Sequence, residues 1–123
     1  MRLTDILGPV MVGPSSSHTA GAVKIGNVAL KLLGEAVKKA EIYLSGSFAL
    51  TGKGHGTDLA LIAGLLGFKP DDMRIPKSFE LAKENGLDFS FFVKDIKNAH
   101  PNTVQLKLKG ISGRTIDIVA ESI

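Results

Sequence analysis

Lys39-Ala40-Glu41-Ile42-Tyr43-Leu44-Ser45 alternates in character, runs into Gly46-Ser47-Phe48-Ala49-Leu50-Thr51-Gly52-Lys53-Gly54-His55-Gly56-Thr57-Asp58, and emerges as Leu59-Ala60-Leu61-Ile62-Ala63-Gly64-Leu65-Leu66. A period of two sets Ala40, Ile42 and Leu44 on one face and Lys39, Glu41, Tyr43 and Ser45 on the other, which reads as a strand over 39–45. The apolar run after Asp58 reads as a short helix over 58–66 with Thr57 as its N-cap. Between them lie four glycines, a lysine and a histidine. Glycine serves where backbone must take positive φ or approach a ligand closely, and it costs stability elsewhere. A plain surface turn would not need glycine on both sides of His55, so the stretch reads as a functional loop on a strand–loop–helix unit.

Upstream, Gly8-Pro9-Val10-Met11-Val12-Gly13-Pro14 reads as an extended, turn-rich connection, because proline blocks helix and biases the residue before it to extended backbone. A serine of Ser15-Ser16-Ser17 caps a helix over about 19–33, closed by Gly34. That helix is apolar nearly all round, with Lys24, Asn27 and Lys31 in one narrow polar stripe. Gly21 and Gly26 inside it each cost about 1 kcal/mol relative to alanine, which marks a helix packed closely on another backbone.

Downstream, Ser78 to Glu84 reads as a third helix ended by Asn85-Gly86. Three alternating segments follow: Phe89, Phe91 and Val93; then Val104, Leu106 and Leu108; then Ile116, Ile118 and Ala120. Gly110 to Gly113 joins the last two as a hairpin. The fold expected is α+β: a two-layer sandwich with a mixed or antiparallel sheet of about four strands and helices packed on one face. Thr115 to Ile123 runs as a strand to the chain end, as expected of an excised domain or subunit fragment, and its apolar edge offers a route to a homodimer.

At 123 residues and 44% hydrophobic, the chain forms one domain with a proper core. Fifteen basic and twelve acidic residues leave a formal charge of +3, with Lys38-Lys39 the longest basic run, so a nucleic-acid partner is not expected. The broken N-terminus lacks the continuous apolar stretch of a signal peptide, and no window reaches the roughly 18 apolar residues of a membrane span. A cytoplasmic protein without membrane attachment is the expectation. With no cysteine, the chain alone can hold no thiolate-ligated cluster.

The opening loop fails as a phosphate-binding P-loop, since five residues separate Gly46 from Gly52 and Gly54 stands where a Ser or Thr would hold magnesium. Gly52-x-Gly54-x-Gly56 is not a dinucleotide fingerprint either. The loop does offer free N–H groups at Gly56, Thr57 and Asp58 on a helix N-terminus, and Ser15 to Thr19 offers a second such start with hydroxyls added. Two anion-attracting helix starts, each beside a histidine, suit a small carboxylate or an amino acid. His55 can accept a proton at neutral pH, and a neighbouring Lys53 cation favours its neutral form and can pair with a carboxylate. His18 is an alternative proton acceptor or a simple backbone partner near a cap. His100-Pro101-Asn102-Thr103 explains itself as a turn, and gains interest only if it lies beside the other two. His18, His55 and His100 lack metal-ligand spacing, so no metal site is expected.

Gly13-Pro14-Ser15-Ser16-Ser17-His18-Thr19, the stretch from Gly46 to Asp58, and His100-Pro101-Asn102-Thr103 together resemble the β chain, or β domain, of the bacterial iron–sulfur L-serine dehydratases. The resemblance implies a pyridoxal-independent lyase that converts L-serine to pyruvate and ammonia. In that family a [4Fe–4S] cluster held by cysteines of the α subunit acts as Lewis acid on the leaving hydroxyl, and the β part adds residues at the α–β junction. Carried onto this chain, His55 is the leading base, with Lys53 and the N–H groups of Gly54, Gly56, Thr57 and Asp58 holding carboxylate. Ser15, Ser16, Ser17, His18 and Thr19 orient substrate, and His100 and Asn102 stand behind them. The chain would bind no cofactor alone, would be inactive without its α partner, and lacks the ACT-like module with which family β chains continue. Related folds also serve as allosteric substrate-binding domains in some D-3-phosphoglycerate dehydrogenases, so a non-catalytic serine- or anion-binding domain is the competing expectation.

Overall fold

The computed structural model describes residues 10–12, 18–46, 57–93 and 102–122. In chain order these form β1 (Val10–Val12), α1 (His18–Leu33), β2 (Val37–Gly46), α2 (Thr57–Leu65), a 3-10 turn (Ile75–Lys77), α3 (Ser78–Glu84), β3 (Asp88–Val93), β4 (Asn102–Gly110) and β5 (Thr115–Ser122). The five strands make one mixed sheet in the order β1-β5-β4-β2-β3. The α+β sandwich is as the sequence led us to expect, with one strand more than the expected four. The addition is β1, three residues of the stretch read as an extended connection, paired in parallel with Ala120 to Ser122. β5 lies between β1 and β4, with Ala120 to Ser122 paired to β1, so that end of the last strand is not a free edge.

β5 and β2 each run antiparallel to β4, while β1 is parallel to β5 and β3 to β2. Four strands therefore point one way and β4 alone points back. Register fixes which ends coincide: Gly46 pairs with Asn102, Leu44 with Val93, Thr103 with Glu121, and Val12 with Ser122. The C-terminal ends of β1, β2, β3 and β5 and the start of β4 thus share one end of the sheet.

The alternation read from sequence is the burial pattern observed. Ala40, Ile42 and Leu44, Val104, Leu106 and Leu108, and Ile116, Ile118 and Ala120 are all buried on the helix-covered face. Each large aliphatic side chain so buried contributes about 1.5–3 kcal/mol. Lys39, Lys107 and Lys109 alternate with them and are exposed on the other face. The Phe79 ring closes the β3 side, 5.0 Å from Phe89 and 6.0 Å from Phe91 between ring centres.

The two long helices cross at glycine. A methyl group on Gly26 would stand 2.6 Å from the Leu61 carbonyl oxygen and 2.7 Å from Gly64 Cα. One on Gly64 would strike the Val23 carbonyl oxygen. Asn27 Nδ2 donates across the same crossing to the carbonyls of Gly64 (3.0 Å) and Phe68 (2.9 Å). Leu30 Cδ2 lies 3.6 Å from where a methyl on Gly67 would sit. Successive contacts advance along both helices together, so α1 and α2 run parallel. Just past the end of α1, Glu35 accepts hydrogen bonds from Ser112 N and Ser112 Oγ, both 2.6 Å, and Ile111 N donates to Ala36 O at 3.1 Å. That clasp ties the C-terminal end of α1 to the β4–β5 hairpin. The 16-residue helix is about 24 Å long, so His18 starts at the opposite end, where β1 and β2 finish.

Candidate functional site

The end of the sheet opposite that hairpin is where the motif-bearing parts of the chain are attached. β1 ends there at Val12 and α1 begins there at His18; the five residues between carry Ser15, Ser16 and Ser17. β2 ends there at Gly46 and α2 begins there at Thr57, with Lys53, Gly54, His55 and Gly56 in the chain between. β3 ends there at Val93 and β4 begins there at Asn102, with His100 in the chain between. Ser15, Ser16, Ser17, Lys53, Gly54, His55, Gly56 and His100 themselves lie outside the described residues. The rest take definite places: His18 and Thr19 open α1, Thr57 and Asp58 open α2, and Asn102 faces Gly46 across the β2–β4 ladder.

Both helices start at this end of the sheet. From the crossing at Gly26 and Gly64, Thr19 and Thr57 are each seven residues toward the N-terminus, two turns back along parallel axes. Aligned peptide dipoles give each of these termini a local preference for negative charge. Thr57 is the first residue of the helix rather than the residue before it, which corrects its reading as an N-cap. It lies on the stripe of α2 that includes Leu61 and Gly64, and it is only 1% exposed. Its Oγ1 is buried and has no hydrogen-bond partner among the described residues. Asp58 is half-buried beside it, and its Oδ1 accepts from Leu59 N at 2.8 Å.

The strand ends contribute a second polar group that the sequence did not single out. Ser45, Thr103 and Gln105 belong to the face that carries the exposed lysines, yet all three are buried. Ser45 and Thr103 are register partners, one step in from Gly46 and Asn102. Gln105 Nε2 donates to Asp117 Oδ1 at 3.0 Å across the β4–β5 pair. Alternation sets these residues opposite the apolar face; Thr103 belongs to the His100–Thr103 motif, and nothing in the spacing marks Ser45 or Gln105 as buried. Further down the same face, Lys39, Glu41, Lys107 and Asp117 line an open groove of about 430 Å³. It lies away from every motif-bearing segment.

Among the described residues no group of three His, Cys, Asp or Glu side chains is placed to hold a metal ion. No helix among them is long and apolar enough to cross a membrane.

Comparison with known proteins identifies the family. The chain is 50% identical over 120 residues to the L-serine dehydratase beta chain of Peptoniphilus asaccharolyticus, covering 97% of this chain and 54% of that protein. It is 49% identical over 109 residues to a probable L-serine dehydratase beta chain of Bacillus subtilis, covering 89% of this chain and 50% of the relative. L-serine dehydratase 1 of Escherichia coli is 46% identical over 66 residues, half of this chain and 14% of the relative. The chain thus spans about half the length of the two beta chains. The profile of the family described as serine dehydratase beta chain matches residues 3–85, and the chain belongs to that family.

Proposed function

We propose that this chain forms the β part of an L-serine dehydratase and supplies half of the site in which L-serine loses ammonia to give pyruvate. The observation that carries the reading is the shared end of the sheet: all three motif-bearing segments are anchored there. The names of the similar beta chains point the same way. Removing water across Cα–Cβ of serine needs a base for the α-proton, donors for the carboxylate, and help for the departing hydroxyl. His55 takes the proton at Cα, Lys53 and the helix-start N–H groups hold the carboxylate, and His18, Thr19 and the serines before them orient the substrate. Asn102 and His100 complete the polar wall.

The departing hydroxyl requires an electrophile that this chain does not provide. It has no cysteine, so its side chains do not fit a [4Fe–4S] cluster, and the cluster belongs on a partner α subunit of a cytoplasmic enzyme. No step of the chemistry assigned here to the β part passes through it.

Co-expression with a cysteine-bearing α partner and an anaerobic pyruvate assay tests the reading directly. The pair should form pyruvate from L-serine, and His55→Ala should lose at least about a hundredfold in kcat, the usual contribution of a positioned base. Near-normal turnover by His55→Ala would remove His55 as the base. Binding of L-serine without any turnover would instead favour a non-catalytic effector domain.

A further inference from the structure

We infer that the Thr57 hydroxyl, together with the paired starts of α1 and α2, is a carboxylate-binding element for a zwitterionic amino acid. The inference deepens the proposed function, since it rests on that reading for the identity of the amino acid, but its geometry stands on described residues alone. Nearly every buried hydroxyl in a folded protein finds a hydrogen-bond partner, because leaving one dry is costly. Thr57 Oγ1 has none among the described residues, although the residue is 1% exposed. An exposed threonine could use bulk water and a threonine later in the helix could bond back to the carbonyl one turn earlier; the first residue of α2, buried, has neither outlet within its helix. Its stripe of α2, shared with Leu61 and Gly64, is the one laid on α1 at the glycine crossing. The hydroxyl therefore lies in the first turn of α2, at the end of the sheet where α1 also starts, and an anionic oxygen placed there meets an O–H donor as well as the positive end of the α2 dipole.

Asp58 narrows the class of anion. Its carboxylate adds a fixed negative charge one residue from Thr57 and takes up the N–H of Leu59. A multiply charged anion such as phosphate is disfavoured beside it. A carboxylate carried on the same small molecule as an ammonium group is not, because the ammonium can turn toward Asp58.

The test compares Thr57→Val, which keeps the shape and removes the hydroxyl, with Thr57→Ser, which keeps the hydroxyl. Binding of L-serine, L-alanine and 2-aminoethanol is measured by calorimetry on the natural assembly that contains this chain. Loss of a hydrogen bond to a charged group should weaken Thr57→Val for both amino acids by roughly ten- to a hundredfold. Thr57→Ser should stay within about threefold of the parent. 2-Aminoethanol, which has no carboxylate, should bind the parent and Thr57→Val alike. Unliganded Thr57→Val should melt at or above the parent, since the group it removes has no partner. A clear fall in its melting temperature would mean the hydroxyl serves the fold, and would overturn the inference, as would unchanged amino-acid affinity. Turnover separates this inference from the reading it rests on. Pyruvate formation with an unchanged KM in Thr57→Val refutes the Thr57 role alone. Thr57-dependent binding of amino acids by an assembly that never forms pyruvate refutes the dehydratase reading alone.

Discussion

Replacing Gly26 by alanine should cost this protein far more than its one added methyl group suggests. On helix propensity alone the change is favourable by about 1 kcal/mol. The structure reverses the sign. The new Cβ would stand 2.6 Å from the Leu61 carbonyl oxygen and 2.8 Å from the Gly64 carbonyl carbon, where ordinary contact begins at 3.4 Å. Both obstacles are backbone, so no side chain can swing away, and the helices must part by about 0.8 Å. That shift carries the two Asn27 bonds from 2.9–3.0 Å to nearly 3.8 Å, beyond hydrogen-bond range. Overpacking of a tight core costs about 1–3 kcal/mol, and two lost hydrogen bonds add about 0.5–1.5 kcal/mol each. Against the propensity gain the net expectation is a loss of about 1–5 kcal/mol, or a fall of roughly 3–25 °C in melting temperature for a domain of this size. Urea and thermal unfolding, followed by far-ultraviolet circular dichroism, give both numbers. Gly64→Ala should behave alike, and the double variant should lose less than the sum, because the first methyl already separates the helices. A Gly26→Ala protein as stable as its parent, or more so, would refute the backbone-on-backbone crossing.

Two further substitutions follow from single contacts. Asn27→Ala strands the carbonyl partners of two hydrogen bonds and should lose about 1–3 kcal/mol in urea unfolding; Asn27→Asp, which can only accept and faces two carbonyl oxygens, should lose more at neutral pH. Should aspartate be tolerated better than alanine, the Asn27 amide is not the donor at the crossing. The Arg74 guanidinium, hydrogen-bonded to Asp72 at 2.8 Å and 3.0 Å, holds that carboxyl down from the ordinary 3.8 to about 2. Because the folded carboxyl binds its proton more weakly, any stability this contact gives is present above pH 3.8 and lost as pH falls from there through about 2. In Arg74→Ala, a carboxyl-detected NMR titration should find Asp72 raised from about 2 toward 3.8 but short of it, because the backbone N–H of residue 74 still donates to Asp72 Oδ1 at 2.8 Å; a midpoint still near 2 would assign the shift to a cause other than the guanidinium.

What could be read from sequence was whatever depends on short-range periodicity. The helices His18–Leu33, Thr57–Leu65 and Ser78–Glu84, and the register of the β4–β5 hairpin, follow from spacing that a few neighbouring residues declare. Gly26 was legible too, as a glycine whose cost demanded a close backbone, though not that its partner would be Gly64. β1 was not. Three residues between Gly8-Pro9 and Gly13-Pro14 carry no period, and they become a strand only by pairing with residues more than a hundred positions later. The parallel placement of β3 beside β2 was hidden for the same reason, since α2 and α3 must first carry the chain back across the sheet. For the candidate site, the motifs marked which residues to watch, and topology supplied the juxtaposition of their anchors. Thr57 shows the limit most clearly. A threonine ahead of an apolar run reads as a cap, and only burial without a partner separates that role from a ligand's donor.

The glycine crossing and the unpartnered hydroxyl belong to one design. Helices carrying alanine or larger residues at their contact pack with axes about 8–10 Å apart; glycine against glycine lets the backbones approach more closely. Two turns toward the N-termini from that crossing lie the first turns of α1 and α2, with Thr57 on the stripe of α2 that also carries Leu61 and Gly64. The fold gives up helix propensity at Gly26 and Gly64 and a hydrogen bond at Thr57, three concessions that serve no purpose in a module built only to pack. All three become intelligible if the helix starts exist to receive a ligand. The parted helices of Gly26→Ala should then weaken amino-acid binding at temperatures well below its melting point, although no atom of Gly26 lies at the site. Intact affinity in a folded Gly26→Ala protein would break the link between the crossing and the site.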